Sequence, residues 1–264
     1  MAILLTNDDG VEAPGLAALA EALDGLDDLV IAAPLENQSG VGMGISINRG
    51  LKAKRFPDGP GGVPRHSLDG TPVDAVKYAL GWLLRDNPPR LVASGINHGP
   101  NLGRNVRCSG TVGAALEALA SGIPALAVSV DYAIPPNWEG AKFYARKLAE
   151  MALALAESQK GRPFLLNLNV PSLPPDEIRG LAAARHGAGG FLDGLAANPA
   201  SDGFVLGGDW LSPRPDSGCD AAAFNAGFAV VTPLRFEMTD DALLEEIHRG
   251  WRRELSPIPG GDKG

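Results

Sequence analysis

The sequence predicts an α/β fold: a doubly wound, mostly parallel sheet over residues 1–170, then an extension over 171–264 of hairpins that pack on the core or on another subunit, with a terminal helix. Three observations predict it. Short apolar runs alternate with helix-period segments through the first two thirds of the chain. Those runs are apolar at successive residues, the pattern of strands buried on both faces of a parallel sheet. After about residue 170 Pro, Gly and Ala become frequent and the strand signals weaken.

In chain order, AILLT (2–6) reads as a buried strand. Residues 14–24 form a helix, with Pro14 at its start and Leu16, Leu19, Ala20 and Leu23 at helical spacing. LVIAA (29–33) is a second strand, stopped by Pro34. Residues 44–56 alternate through Ile45 and Ile47 and predict a hairpin with Arg49-Gly50 at its turn. DGPGGVP (58–64) is a loop by composition. Residues 71–85 predict a helix with Thr71 as N-cap and Pro72 in its first turn. RLVAS (90–94) is a strand that enters a long Gly- and Asn-rich loop, 95–110. Helix 111–121, strand 125–130, a long amphipathic helix 138–158 and strand 164–169 follow. In the extension, 203–206 and 228–232 read as weak strands and 239–254 as a helix.

The composition bounds the function. A chain of 264 residues with 45% hydrophobic and 20% charged content can bury a sizeable core. Its net charge of −8 argues against a nucleic-acid polymer as partner, because backbone phosphates are bound by Lys and Arg. A small anion remains compatible, since a local site can differ in sign from the whole. Cys108 and Cys219 form no CxxC or Cys/His cluster and read as reduced thiols. The start MAILLTNDDG has no basic n-region or long apolar h-region, and no run approaches the ~18 apolar residues of a membrane span. The expectation is a cytoplasmic protein with no membrane partner.

Two stretches carry chemistry. In LLTNDDG (4–10) a buried strand ends in adjacent carboxylates, Asp8 and Asp9, which repel each other unless a cation lies between them or water solvates both. Ser39, after the second strand, offers a hydroxyl, and Asn97 an amide oxygen. An all-oxygen set of this kind suits Mg²⁺ or Mn²⁺ and leaves about two octahedral positions for water and substrate. The competing reading is a solvated Asp-Gly turn. The second stretch, SGINHGPNLGRNVRCSGT (94–111), combines glycines that admit close backbone approach with Asn97 and Asn101, and ends in Ser109-Gly110-Thr111 at a helix start. The N–H groups and dipole of a helix N-terminus favour phosphate. Helix capping alone would also place Ser or Thr there. His66, His98, His186 and His248 are scattered, and Asp69 and Asp74 flank a helix start where the dipole favours acids anyway.

TNDDG, P-x-x-x-Q-S-G (Pro34 to Gly40), SGIN-x-G-x-N-x-G, SGTVGAA-x-E (94–117) and the later VVTPL (230–234) with Asp220 upstream resemble the stationary-phase survival protein family SurE, in order and across nearly the whole chain. The resemblance implies a Rossmann-like three-layer core, a metal-dependent phosphatase for nucleoside 5′- and 3′-monophosphates with some exopolyphosphatase activity, and oligomerisation hairpins in the extension through which a dimer or tetramer exchanges C-terminal elements. It implies metal ligation at Asp8, Asp9, Ser39 and Asn97, and phosphate contacts at Asn101, Ser109, Gly110 and Thr111. Three positions depart from the family's usual pattern: Cys108 stands for Tyr, Asn105 for an acid and Ala118 for Gly. They bear on base or leaving-group contacts and leave every expected metal ligand in place.

The chemistry this implies is in-line attack by a metal-activated water, with Asp8 and Asp9 catalytic: they hold the metal, and one orients or deprotonates the water. Ser109, the Gly110 and Thr111 N–H groups and Asn101 stabilise charge on the equatorial oxygens. An aspartyl-phosphate on Asp8 or Asp9 is the rival chemistry, disfavoured because a carboxylate committed to a metal is a poorer nucleophile. A non-catalytic nucleotide-binding stress or sensing module is the rival function. A dinucleotide oxidoreductase needs G-x-G-x-x-G after the first strand, where this chain has NDDGVEAPG.

Overall fold

In the computed structural model, which describes residues 2–159, 162–198, 202–214 and 217–251, the first strand explains the layering. β1 (Ala2–Thr6) has Ile3, Leu4 and Leu5 fully buried. Successive side chains on a strand point to opposite faces. Ile3 and Leu5 join one apolar cluster with α1 (Pro14–Leu23), while Leu4 joins another. Burying each such side chain contributes roughly 1.5–3 kcal/mol.

β2 (Asp28–Pro34), β3 (Ala53–Phe56), β4 (Arg65–Leu68), α2 (Pro72–Tyr78), β5 (Leu91–His98), α3 (Gly110–Ala120), β6 (Ala125–Val130), α4 (Trp138–Ser158) and β7 (Leu165–Val170) follow. The extension adds β8 (Leu181–Ala183), β9 (Gly190–Ala197), β10 (Phe204–Leu211), α5 (Asp220–Asn225), β11 (Ala229–Leu234) and α6 (Asp241–Gly250). Nine strands make one sheet in the order β3-β4-β2-β1-β5-β6-β7-β11-β8, parallel except where β3 meets β4 and β11 meets β7. Leu16, Leu19 and Leu23 of α1 and Tyr144 and Leu148 of α4 cover one face. Val76 of α2 and Val112 and Ala115 of α3 cover the other. The α/β class and the mostly parallel sheet are as the sequence predicts.

From β1 the chain runs to β2 on one side, and after β4 and α2 it crosses to β5 on the other side of β1. The crevice beyond the carboxyl ends of β1 and β5 is therefore a topological switch point, where doubly wound sheets bind ligands.

Several elements differ from the sequence reading. No hairpin turns at Arg49-Gly50; the hairpin is β3–β4, and the loop predicted at 58–64 is its connection, with a 3₁₀ turn at Pro60–Gly62. The alternation of Ile45 and Ile47 has no strand partner. The Ser46 N–H instead donates to the Asp74 carboxylate (3.1 Å), and the Thr71 hydroxyl donates to Gly44 O (2.7 Å). Asp74 also closes a capping box with Thr71, which is the predicted N-cap. β5 runs four residues past its predicted end, through a register shift between Ser94 and Asn97. The weak signal at 203–206 belongs to the eight-residue β10, whose antiparallel partner is β9. The chain divides at Leu234/Arg235 into two compact units. In the second, α6 is capped by Asp240, whose side chain accepts from Leu243 N (3.0 Å). The end of the helix predicted to 254 lies outside the described residues. Among the described residues no helix is long and apolar enough to cross a membrane.

Candidate active site at the switch point

Asn7 turns the chain out of β1. Its buried amide donates to Gly10 O (2.9 Å) and its carbonyl oxygen accepts from Gly10 N (3.2 Å), an Asx-type turn that sets Asp8 and Asp9 just beyond the strand end. Asp8 is buried against the start of α3. It accepts a hydrogen bond from the Thr111 hydroxyl, and the N–H groups of Gly110 and Thr111 at the helix start favour its charge. A Cβ at Gly110 would lie 2.8 Å from the Asp8 Cβ, so only glycine lets the carboxylate approach this closely. Ser109 caps α3, its hydroxyl oxygen accepting from Val112 N (3.0 Å). The predicted phosphate turn and the predicted metal carboxylate are thus in direct contact.

Asp9 is partly exposed and joins two loops. It accepts from Asn37 Nδ2 (3.1 Å), and the backbone N–H of His98 favours its charge. Asn37 Oδ1 in turn accepts from Ser39 N (2.9 Å), which ties the Ser39 loop to Asp9. Gln38 N donates to Asp8 O (2.7 Å). At the end of β5, the Asn97 amide donates to Gly99 O (2.6 Å), so its nitrogen is committed and its oxygen is the atom left to act as a ligand.

Burial is the first cause that raises the pKa of Asp8, opposed by its bonds to Thr111 and Gly110. Asp9 is pushed up to about 6, first by burial and then by the charge of Asp8; the His98 N–H, His98 itself and Asn37 oppose the shift. A cation would relieve both. Two carboxylates, a hydroxyl and an amide oxygen fit a hard divalent ion. Among the described residues no three His, Cys, Asp or Glu side chains gather into a metal cage, so the set depends on neutral oxygens. Thr6 and Ser94, register partners on β1 and β5, keep buried hydroxyls without a hydrogen-bond partner at the same strand ends.

Asn101 is buried after the end of β5. Its amide donates to Ser129 Oγ (2.9 Å), its N–H to Asn169 Oδ1 (2.7 Å), and its carbonyl accepts from Asn167 and Asn169 (2.8 and 3.2 Å). The sequence reading missed Ser129, Asn167, Asn169 and the linking role of Asn37. The signal was a polar residue inside otherwise apolar strands, in ALAVSV and LLNLN. Asp220, fully buried, accepts from Gly103 N (2.9 Å), Gly187 N (3.0 Å) and Ala221 N (2.8 Å), and so fixes the far end of the 95–110 loop. A concavity of about 660 Å³ between Asp24–Val30 and Gly61–Pro64 lies at the amino ends of β2 and β4, the wrong end for this architecture.

A family model described as Survival protein SurE matches residues 3–191. The chain belongs to the SurE family. SurE relatives align along nearly all of it. The 5'-nucleotidase SurE of Carboxydothermus hydrogenoformans is 37% identical over 263 residues, 97% of each chain. The 5'-nucleotidase SurE of Methylococcus capsulatus is 39% identical over 256 residues, 94% of this chain and 96% of the relative. The crystal structure of the SurE protein from Aquifex aeolicus superposes with a TM-score of 0.80 at 31% identity, over 94% of this chain and 99% of that one. Of the positions that depart from the usual SurE pattern, Cys108 is exposed and holds Gly42 N through its carbonyl (3.0 Å), and Ala118 is buried in α3.

Proposed function

We propose that this SurE-family chain is a 5′-nucleotidase: a metal-dependent phosphomonoesterase that hydrolyses nucleoside 5′- and 3′-monophosphates, and removes terminal phosphates from polyphosphate at the same seat. The observation that carries the reading is the Asp8–Asp9 pair, set at the switch point against the N-terminus of α3 and flanked by Ser39 and Asn97. The names of the relatives support the nucleotidase reading.

Asp8, Asp9, Ser39 and Asn97 are the residues that would hold Mg²⁺ or Mn²⁺. When bound, the cation would polarise the phosphoryl group and lower the pKa of the attacking water. Asp9, the more exposed carboxylate, orients that water. Ser109, the Gly110 and Thr111 N–H groups and Asn101 are the donors assigned to phosphoryl oxygens. Asp8 already accepts from the Thr111 hydroxyl and lies against the start of α3, so a substrate phosphate would compete with it there. A cation held by Asp8 would draw the carboxylate from this helix start, leave its donors to the phosphate and so couple the two binding events.

The same reading includes a homodimer or homotetramer in the cytoplasm. Leu195, Phe204 and Leu206 of the β9–β10 hairpin are largely exposed, an apolar surface of the kind that oligomers cover. Both cysteines are free thiols. The test is phosphate release from a panel of nucleoside monophosphates with Mg²⁺ or Mn²⁺ and with EDTA. Metal-dependent release is expected. Tight nucleotide binding with no release from any substrate would make the chain a sensing module instead.

A further inference from the structure

Tyr132 is 58% exposed and Ile134 94% exposed, on the loop that leaves β6. Large apolar surface beside a carboxylate pair calls for an explanation. The Tyr132 ring rests on the turn that carries Asn97: a Cβ at Gly99 would lie 2.4 Å from its Cε1 and Cζ. It packs against the His98 ring at 5.9 Å between centroids and 60° between planes, and His98 packs in turn on Trp138 at 6.5 Å. The loop is held firmly. A His98 ring nitrogen pairs with Ala133 O (2.9 Å), Gly99 N donates to Val130 O (2.8 Å), and Tyr132 N donates to Asp131 Oδ1 (2.8 Å). The phenol also lies in the field of the pair: after burial, the charges of Asp9, Asp131 and Asp8 push its pKa up.

Trp138 opens α4, so these rings lie toward the α1–α4 layer, whereas Gly110 and Thr111 open α3 in the other layer. The carboxylates are between them. A phosphomonoester seated by the α3 turn would project its leaving group away from α3, toward Tyr132. We propose that the exposed face of Tyr132 is the stacking surface for the nucleobase of the substrate, and that Tyr132 is therefore a specificity-determining residue of this site. The inference rests on the nucleotidase reading for the orientation of the substrate. A ring already fixed on one side loses little freedom when a base covers the other, and Cys108, at the family's usual Tyr position, offers no ring.

The test is steady-state kinetics of the full chain with Mn²⁺ on AMP and on ribose 5-phosphate, which lacks the base, for wild type, Tyr132→Ala and Tyr132→Phe. Base–aromatic stacking corresponds to roughly 5- to 150-fold in affinity. Tyr132→Ala should raise KM for AMP by that factor and leave both constants for ribose 5-phosphate unchanged, while Tyr132→Phe should match wild type. Equal losses on both substrates, an unchanged KM for AMP in Tyr132→Ala, or a Phe variant as impaired as Ala would each overturn the proposal. If the wild type hydrolyses neither compound, the nucleotidase reading fails separately. Calorimetric Kd values for AMP and ribose 5-phosphate in the same three proteins then decide the stacking role by the same ratio.

Discussion

At the scale of single residues, the site is built on an unfavourable pair. The pKa of Asp9 rises from 3.8 to about 6 on folding, and that of Asp8 rises too. A carboxylate with a raised folded pKa contributes stability that is present in acid and lost as pH rises through the folded value. The metal-free protein should therefore lose stability between about pH 4 and pH 6.5 from these groups. Mn²⁺ at about a hundredfold excess over its Kd should raise Tm at neutral pH by roughly 5 °C or more, and by less below pH 5, where protons compete. Thermal unfolding across pH, in EDTA and in Mn²⁺, checks both statements; a Tm indifferent to Mn²⁺ at every pH would contradict them. Gly110 makes a second residue-scale prediction. Gly110→Ala forces a Cβ to within 2.8 Å of Asp8 and should cost about 1–3 kcal/mol of stability, with a larger loss of activity because Asp8 itself must move. Urea unfolding and turnover of the same variant separate the two effects.

At the scale of elements, what was legible followed local pattern. β1, β6, α4 and the N-cap Thr71 came from apolar runs, helical spacing and capping chemistry, all of which act within a few residues. The hairpin at 44–56 failed because its alternation of Ile45 and Ile47 specifies only a surface, and the α2 terminus takes the Ser46 and Gly44 groups a partner strand would need. Asp8, Asp9, Ser39 and Asn97 could be named from residue type and from the resemblance. The Asn37 link between Asp9 and Ser39, and the Asn101–Ser129–Asn167–Asn169 network, are contacts between distant segments, which no local pattern encodes. α5 was missed for the same reason, since its start exists to aim Asp220 at Gly103 and Gly187. Asp220→Ala leaves those N–H groups without their acceptor and should cost about 2–4 kcal/mol. The urea midpoint should fall with the m-value unchanged. A wild-type midpoint would mean that the tie does not hold the loop.

At the scale of the whole molecule, the sheet order places chemistry from three separate segments at one crevice, because β1 lies between β2 and β5. The β9–β10 hairpin stands outside that sheet with Phe204 and Leu206 exposed. Phe204→Asp with Leu206→Asp should therefore shift the sedimentation coefficient toward monomer, and a wild-type value would sever the hairpin from assembly. The central claim is that Asp8 and its neighbours hold a catalytic cation. Its most direct test is phosphate release from AMP by wild type and Asp8→Asn, each titrated with Mn²⁺. Wild-type release should be absent in EDTA and saturate with Mn²⁺, and Asp8→Asn should stay at least about 100-fold lower throughout. Release that survives EDTA, or an Asp8→Asn protein as active as wild type, would contradict it.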